Sequence, residues 1–175
     1  MFVYPYLDDW LIKASTPVLA SNHLHLCLSL LSKLGLQINV NKSTLIPVQQ
    51  IRYLGAILDT QEAKAYPLEE RLSSIRWKCL DLASNPRPSA WIISSLLGSM
   101  ASCIFLVPHA RLNMRPLQQC LEDQWTQDRN SWERKLHLSP AALHSLPWWM
   151  HRANLMAGTL FHPPPPAQVL VTDAS

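Results

Sequence analysis

Bulky apolar residues dominate the start of the chain, and two carboxylates interrupt them. Residues 2–12 read FVYPYLDDWLI, with strand-favouring side chains on both sides of Asp8 and Asp9. This pattern predicts a β-hairpin with both carboxylates at its tip. Ser15 and Thr16 supply a capping hydroxyl directly before Pro17, which is typical of the start of a helix. Leucines then recur every three or four residues. We therefore predict an amphipathic helix over residues 17–34.

Shorter apolar runs follow this helix. Leu36–Val40 alternates apolar and polar side chains, which predicts a half-buried strand. Residues 45–46 and 51–58 predict two further short strands. Residues 1–60 therefore predict an α+β lobe.

In the middle of the chain, apolar residues recur at helical spacing, and prolines separate this region into several predicted helices. Helices are predicted over residues 67–83, over residues 89–105, in a segment 110–135 that Pro116 interrupts, and from Ser139-Pro140 to Trp148-Trp149. The tryptophan pair is typical of core or interdomain packing, and the alternative is that its rings stack on bases. Arg71, Arg76 and Lys78 are typical of a solvated helix face, and the alternative is contact with phosphates.

A run of four prolines, Pro163–Pro166, predicts a stiff spacer, because prolines in series adopt neither helix nor sheet. The residues after it, QVLVTDAS, predict the first strand of a further domain. One strand does not fold alone. We therefore expect this strand to belong to a domain that the sequence only begins.

The composition narrows the class of protein. Charged residues make up 15% of the 175 residues, against about 25% in a typical soluble domain, which excludes a charge-rich disordered tail and a coiled coil. The net charge of +3 does not by itself identify a nucleic-acid binder. No apolar stretch reaches about 18 residues and no basic segment opens the chain, so we expect neither a membrane span nor a signal peptide.

The four cysteines, Cys27, Cys79, Cys103 and Cys120, lack CxxC spacing and sit mostly among apolar neighbours. We read them as reduced, mostly buried thiols of an intracellular protein. His23 and His25 crowd Cys27, but a zinc site needs a second group of ligands that the sequence does not supply.

Asp8 and Asp9 admit two interpretations. Adjacent acids at a turn are common, because Asp suits turns and tolerates solvent. Bulky strand formers on both sides favour the other interpretation, in which the hairpin presents hard oxygen ligands to divalent cations. Mg²⁺ accepts one or two protein carboxylates together with substrate phosphates.

Tyr6-Leu7-Asp8-Asp9 resembles the YxDD box of reverse transcriptases. Other blocks of that family are matched in the same order. LGLQIN at residues 34–39, with Lys42-Ser43, is similar to the next polymerase block, and Tyr53-Leu54-Gly55 is similar to the primer-grip hairpin. LLGSMAS at 96–102 and NMRPLQ at 113–118 resemble the thumb and connection of DIRS-type retrotransposons, which encode a tyrosine recombinase. VTDAS at 171–175 resembles the start of their ribonuclease H domain.

The resemblance implies a role for each matched residue. Asp8 would be a metal ligand. Asp9 would be the second acid of the box, with a less direct part in the chemistry, and Tyr6 would lie near the primer end. Lys42 would donate a proton to the leaving pyrophosphate, and an ordinary turn lysine is an equal alternative. Asp173 would be a metal-binding acid of ribonuclease H.

The primer grip has its own alternative. Tyr53, Leu54 and Gly55 would hold the primer backbone. Otherwise they form an ordinary strand end in which Gly55 marks a bulge.

The implied organisation has three parts: the C-terminal part of a polymerase palm at residues 1–60, a helical thumb and connection at 61–160, and a linker with the first ribonuclease H strand at 161–175. The intact parent polyprotein would use Mg²⁺ or Mn²⁺, an RNA or DNA template with a primer, and an incoming deoxynucleoside triphosphate. Its chemistry would be nucleotidyl transfer to the primer 3′-hydroxyl. No membrane is implied.

In the family, the third palm carboxylate and the fingers precede the YxDD box. We therefore expect a fragment that is inactive alone and binds metal weakly. One alternative is a non-catalytic remnant that binds nucleic acid. The other is an unrelated helical interaction protein with a chance YxDD string.

Overall fold

The computed structural model describes residues 2–126 and 131–162. They form two compact units, Met1–Gln61 and Glu62–Ser175. Both units combine helices with short strands, so the predicted α+β class is confirmed. Pro163–Pro166, the strand predicted after them and Asp173 lie outside the described residues.

The first unit begins with the predicted hairpin. Strand β1, Phe2–Tyr6, pairs antiparallel with β2, Asp9–Lys13. Helix α1 follows over Pro17–Lys33, and the Thr16 hydroxyl accepts the Leu19 N–H at 3.2 Å. This side chain satisfies one of the free N–H groups of the first turn, which confirms the predicted start of the helix.

The rest of the first unit differs from the prediction. Leu36–Val40 is not a strand, because no neighbouring strand pairs with it, and Val40–Lys42 instead forms one 3₁₀ turn. The Asn39 side chain accepts the Lys42 N–H at 3.2 Å, a local bond that competes with strand formation. Residues 45–46 are not a strand either.

Residues 51–58, predicted as one strand, instead form a hairpin, because the backbone turns at Leu54 and Gly55. Strand β3 is Gln50–Tyr53 and strand β4 is Ala56–Asp59, paired antiparallel.

The second unit is mainly helical. Strand β5, Lys64–Pro67, pairs antiparallel with the short strand β6, Thr159–Leu160. The helices are α2 Glu69–Ser84, α3 Ala90–Ala101, α4 Ala110–Glu122, α5 Pro140–Met150 and α6 Arg152–Leu155. Pro67 therefore ends a strand instead of opening a helix.

Two helices end earlier than predicted. Helix α3 stops at Ala101 because residues after it form turns. Helix α4 tolerates Pro116 and stops at Glu122. Beyond it, Lys135 pairs with Ser89 in an isolated bridge. The Arg134 carbonyl accepts the Ala90 N–H, and the Trp132 carbonyl accepts the Trp91 N–H. This extended segment therefore supplies acceptors for N–H groups at the start of α3 that have no partner within the helix.

The hydrophobic core lies in the second unit, between helices α2 to α5. Trp149 is its largest fully buried side chain, and its indole N–H donates to the Asn113 carbonyl at 3.2 Å. Trp148 contacts it edge to face, with centroids 5.2 Å apart. The core interpretation of this pair is therefore confirmed. In the first unit, the buried apolar residues among those described are Cys27 and Ala56.

Two cations of α2 join it to α3. The Lys78 ammonium lies 2.7 Å from the Ser99 hydroxyl, 3.0 Å from the Ser95 hydroxyl and 3.3 Å from the Ser95 carbonyl. Arg71 donates to the Ser102 carbonyl at 3.2 Å. Lys78 thus bonds to α3 and Arg71 bonds to the residue that follows α3, so neither side chain belongs only to a solvated face.

All four cysteines are free and buried, as predicted. Burial raises the pKa of the Cys79 thiol to about 12. Burial also raises the pKa of Cys103, against opposing effects of Ser102 and Arg71. The thiols of Cys79 and Cys103 are therefore protonated at neutral pH and poorly reactive.

Candidate active site

The turn of the first hairpin consists of Leu7 and Asp8, between the paired residues Tyr6 and Asp9. Leu7 has a φ of 51°. A positive φ at the first central position is the feature of a type II′ turn, where glycine is the usual residue. A leucine in this conformation is strained, and such strain concentrates at functional sites.

A tryptophan braces this turn. The Trp10 indole N–H donates to the Leu7 carbonyl at 3.3 Å. The bond satisfies a carbonyl at the hairpin tip and offsets part of the strain at Leu7. Sequence reasoning missed this role, although a ring N–H donor directly after the two acids was the available signal.

Both carboxylates of the hairpin face solvent. Asp8 and Asp9 are exposed, and neither carboxylate forms a hydrogen bond or ion pair within the part of the chain that the structure describes. Their oxygens are therefore available to a cation. The same part of the chain holds no cluster of three or more His, Cys, Asp or Glu side chains suited to a metal.

The second hairpin of this unit reaches the first one. The Tyr53 hydroxyl donates to the Tyr4 carbonyl at 2.7 Å, which ties the end of β3 to the strand that leads into the acids. Leu54 and Gly55 have φ values of 48° and 77°. Two positive values between paired strand ends define a type I′ turn. Gly55 is thus a turn residue and not a bulge.

The remaining predicted residues are less well connected. Tyr6 ends β1 with an exposed ring beside Asp9 in register. Lys42 is exposed, and no bond joins its ammonium group to Asp8 or Asp9 among the described residues. The general-acid role of Lys42 stays a prediction.

The histidines near Cys27 do not form a metal site in the described chain. The His25 ring nitrogen Nδ1 lies 2.8 Å from the Ser21 carbonyl of its own helix. Nδ1 of His23 is buried without a hydrogen-bond partner.

Comparisons of the chain with protein-family models, with curated proteins and with solved structures find no significant match. Within the described residues, no helix is both long and apolar enough to cross a bilayer. The geometry of the first unit is therefore what bears on function: two exposed carboxylates on a strained turn, with a second hairpin bonded to the strand that carries them.

Proposed function

We propose that this chain is a part of an RNA-directed DNA polymerase of the retroelement type. In this proposal the β1–β2 hairpin is the acidic element of the palm and the β3–β4 hairpin is the primer grip. The observation that carries the proposal is the pair of exposed carboxylates at the hairpin turn, Asp8 and Asp9, with the second hairpin bonded to the strand that leads into them.

The donor set fits a hard divalent cation. Asp8 and Asp9 offer carboxylate oxygens, which Mg²⁺ and Mn²⁺ prefer, and their exposure leaves room for phosphate and water ligands. When bound in the intact enzyme, such ions activate the primer hydroxyl and stabilise the leaving pyrophosphate.

The second hairpin positions the primer in this proposal. Because the Tyr53 hydroxyl is engaged by the Tyr4 carbonyl, Tyr53 acts as a positioning residue and not as a direct contact. The exposed turn at Leu54 is then the part that touches the primer backbone. Its type I′ geometry projects the turn away from the strands.

The same observations predict low activity of the isolated chain. Two divalent ions carry four positive charges, and the two carboxylates of the hairpin neutralise half of them. The described residues hold no third ligand beside this pair. We therefore expect weak metal binding and no detectable primer extension by this chain alone.

The test is a binding titration with a labelled primer–template duplex, with and without Mn²⁺. For the wild-type chain we expect Mn²⁺ to tighten duplex binding about tenfold, equivalent to ~1.4 kcal/mol. Asp8→Asn should abolish this metal effect. Asp123→Asn, which removes an exposed carboxylate of the other unit, is the matched control and should retain it.

Each remaining outcome has a clear meaning. Equal metal dependence in the wild type and in Asp8→Asn would contradict the proposed site. Salt-dependent duplex binding without any metal effect would favour a non-catalytic remnant that binds nucleic acid, since phosphate contacts produce a steep dependence on salt.

A further inference from the structure

A cavity of about 390 Å³ lies in the first unit, where the open end of the β1–β2 hairpin meets the first two turns of α1. Small-molecule sites in proteins have volumes of about 300–1,000 Å³ and combine apolar walls with a few polar groups. The lining of this cavity has both kinds of residue: Phe2, Ala14 and Leu19 are apolar, and Lys13, Ser15 and His23 are polar. Its size and lining are therefore those of a site for a small organic molecule.

The polar side chains of this cavity have no partner within the part of the chain that the structure describes. His23 is half-buried, and its Nδ1 is buried without a hydrogen bond. Lys13 and Ser15 are exposed, and neither side chain forms a hydrogen bond or an ion pair with a described residue. A buried ring nitrogen without a partner costs free energy, and native proteins leave few of them. A rotation of the imidazole by about 180° keeps its outline and turns this nitrogen to the other edge of the ring, so a bound molecule can satisfy it.

The charge at this end of the hairpin favours an anion. Lys13 supplies an ammonium group, and the first turn of α1 has no acidic residue. Lys13 pairs in register with Phe2, whereas Asp8 and Asp9 lie at the opposite end of the hairpin. One ammonium group matches the single charge of a carboxylate, while a phosphate group carries up to two charges at neutral pH. The cavity therefore suits a carboxylate better than a phosphate.

We propose that this cavity binds a small carboxylic acid with an apolar body. The carboxylate lies against the Lys13 ammonium, and the Ser15 hydroxyl and the His23 ring donate hydrogen bonds to it. The apolar body contacts Phe2 and Leu19, which are 65% and 42% exposed, so binding removes apolar surface from water. This inference goes beyond the proposed function and does not depend on it, because the cavity lies away from the two acids of the hairpin.

A titration of the full chain with phenylacetate, followed by the amide chemical shifts in NMR spectra, tests the proposal. We expect saturable shifts at Phe2, Leu19 and His23 with a Kd of about 1 mM, an ordinary affinity for a ligand of this size. Phenylacetamide has the same shape without the charge. It should bind at least about tenfold more weakly, because its amide forms no charge-assisted hydrogen bond with Lys13.

Three variants separate the contributions of the lining. Lys13→Met removes the ammonium group and should weaken phenylacetate binding at least about tenfold. His23→Phe keeps a ring of similar size without its nitrogens and should weaken binding about threefold. Lys33→Met removes the exposed cation in the last turn of α1 and is the matched control, which should bind like the wild type. Circular dichroism of all three variants should match that of the wild type.

Several results would overturn this proposal. They are the absence of saturable shifts in the wild type, equal affinity for phenylacetamide, unchanged binding in Lys13→Met, and an equal loss of binding in Lys33→Met. Inorganic phosphate is an anion without an apolar body, so at equal concentration it should leave phenylacetate binding unchanged. Displacement of phenylacetate by phosphate would contradict the assignment of the ligand as a carboxylic acid with an apolar body.

Discussion

Gly158 is the position where the structure makes its sharpest energetic prediction. Its φ is +68°, and a Cβ at this position would lie 2.4 Å from Cε1 and 2.7 Å from Cδ1 of the Tyr66 ring. The Tyr66 hydroxyl donates to Glu62, so the ring is held on the side where the methyl group would enter. Gly158→Ala therefore combines backbone strain with a clash inside the second unit.

The magnitude follows from the two contributions. A left-handed φ costs an L-residue about 1–2 kcal/mol. Displacement of a packed side chain by an added carbon costs about 1–3 kcal/mol. We expect Gly158→Ala to lower the free energy of unfolding by about 3 kcal/mol, measured by urea denaturation followed by circular dichroism.

Two other glycines are matched controls for the same substitution. Gly98 lies inside α3 with open space where an added methyl group would go, so Gly98→Ala should stabilise the second unit by about 0.5–1 kcal/mol. Gly35 has a φ of +75° and open space around it, so Gly35→Ala should cost the first unit about 1 kcal/mol through strain alone. A Gly158→Ala variant as stable as the wild type, or a Gly98→Ala variant less stable than the wild type, would refute this reasoning.

Three further predictions rest on single contacts or burial. Burial raises the pKa of Cys79 from 9.0 to about 12, so between these pH values the unfolded chain loses a proton that the folded chain keeps. Stability should therefore fall as pH rises above 9, by at most about 1.4 kcal/mol per pH unit, and Cys79→Ala should reduce this slope in urea titrations. Trp10→Phe removes the donor to the Leu7 carbonyl and should speed amide hydrogen exchange in the hairpin. Trp77→Phe alters an exposed ring of α2 and is the control, which should leave exchange in the hairpin unchanged. Leu96→Ala empties a fully buried position and should cost about 2–5 kcal/mol in urea denaturation, whereas a cost below ~1 kcal/mol would contradict its place in the core.

Local signals in the sequence predicted the elements that local chemistry determines. Thr16 and Ser139 cap α1 and α5 with the bonds that their position before a proline predicts. The acidic hairpin was predicted because apolar residues flank Asp8 and Asp9 on both sides. Its strained turn was not, since leucine is not a residue that favours a positive φ.

Elements that depend on distant partners were missed or wrong. Strand β6 is two residues long and pairs with Lys64–Ala65, far away in the sequence, so no periodic pattern marks it. Leu36–Val40 has the alternation of a strand but no pairing partner, and a strand without a ladder leaves its backbone groups unsatisfied. The bond between Tyr53 and Tyr4 is equally non-local and became visible only in the structure.

The central claim is that the acidic hairpin holds a divalent cation, and paramagnetic broadening by Mn²⁺ tests it most directly. Amide resonances of the full chain are recorded by NMR during a Mn²⁺ titration in the presence of a primer–template duplex. We predict that broadening begins at Leu7 to Trp10 in the wild type and disappears from these residues in Asp8→Asn. Broadening that begins elsewhere, or that is unchanged in Asp8→Asn, would contradict the claim.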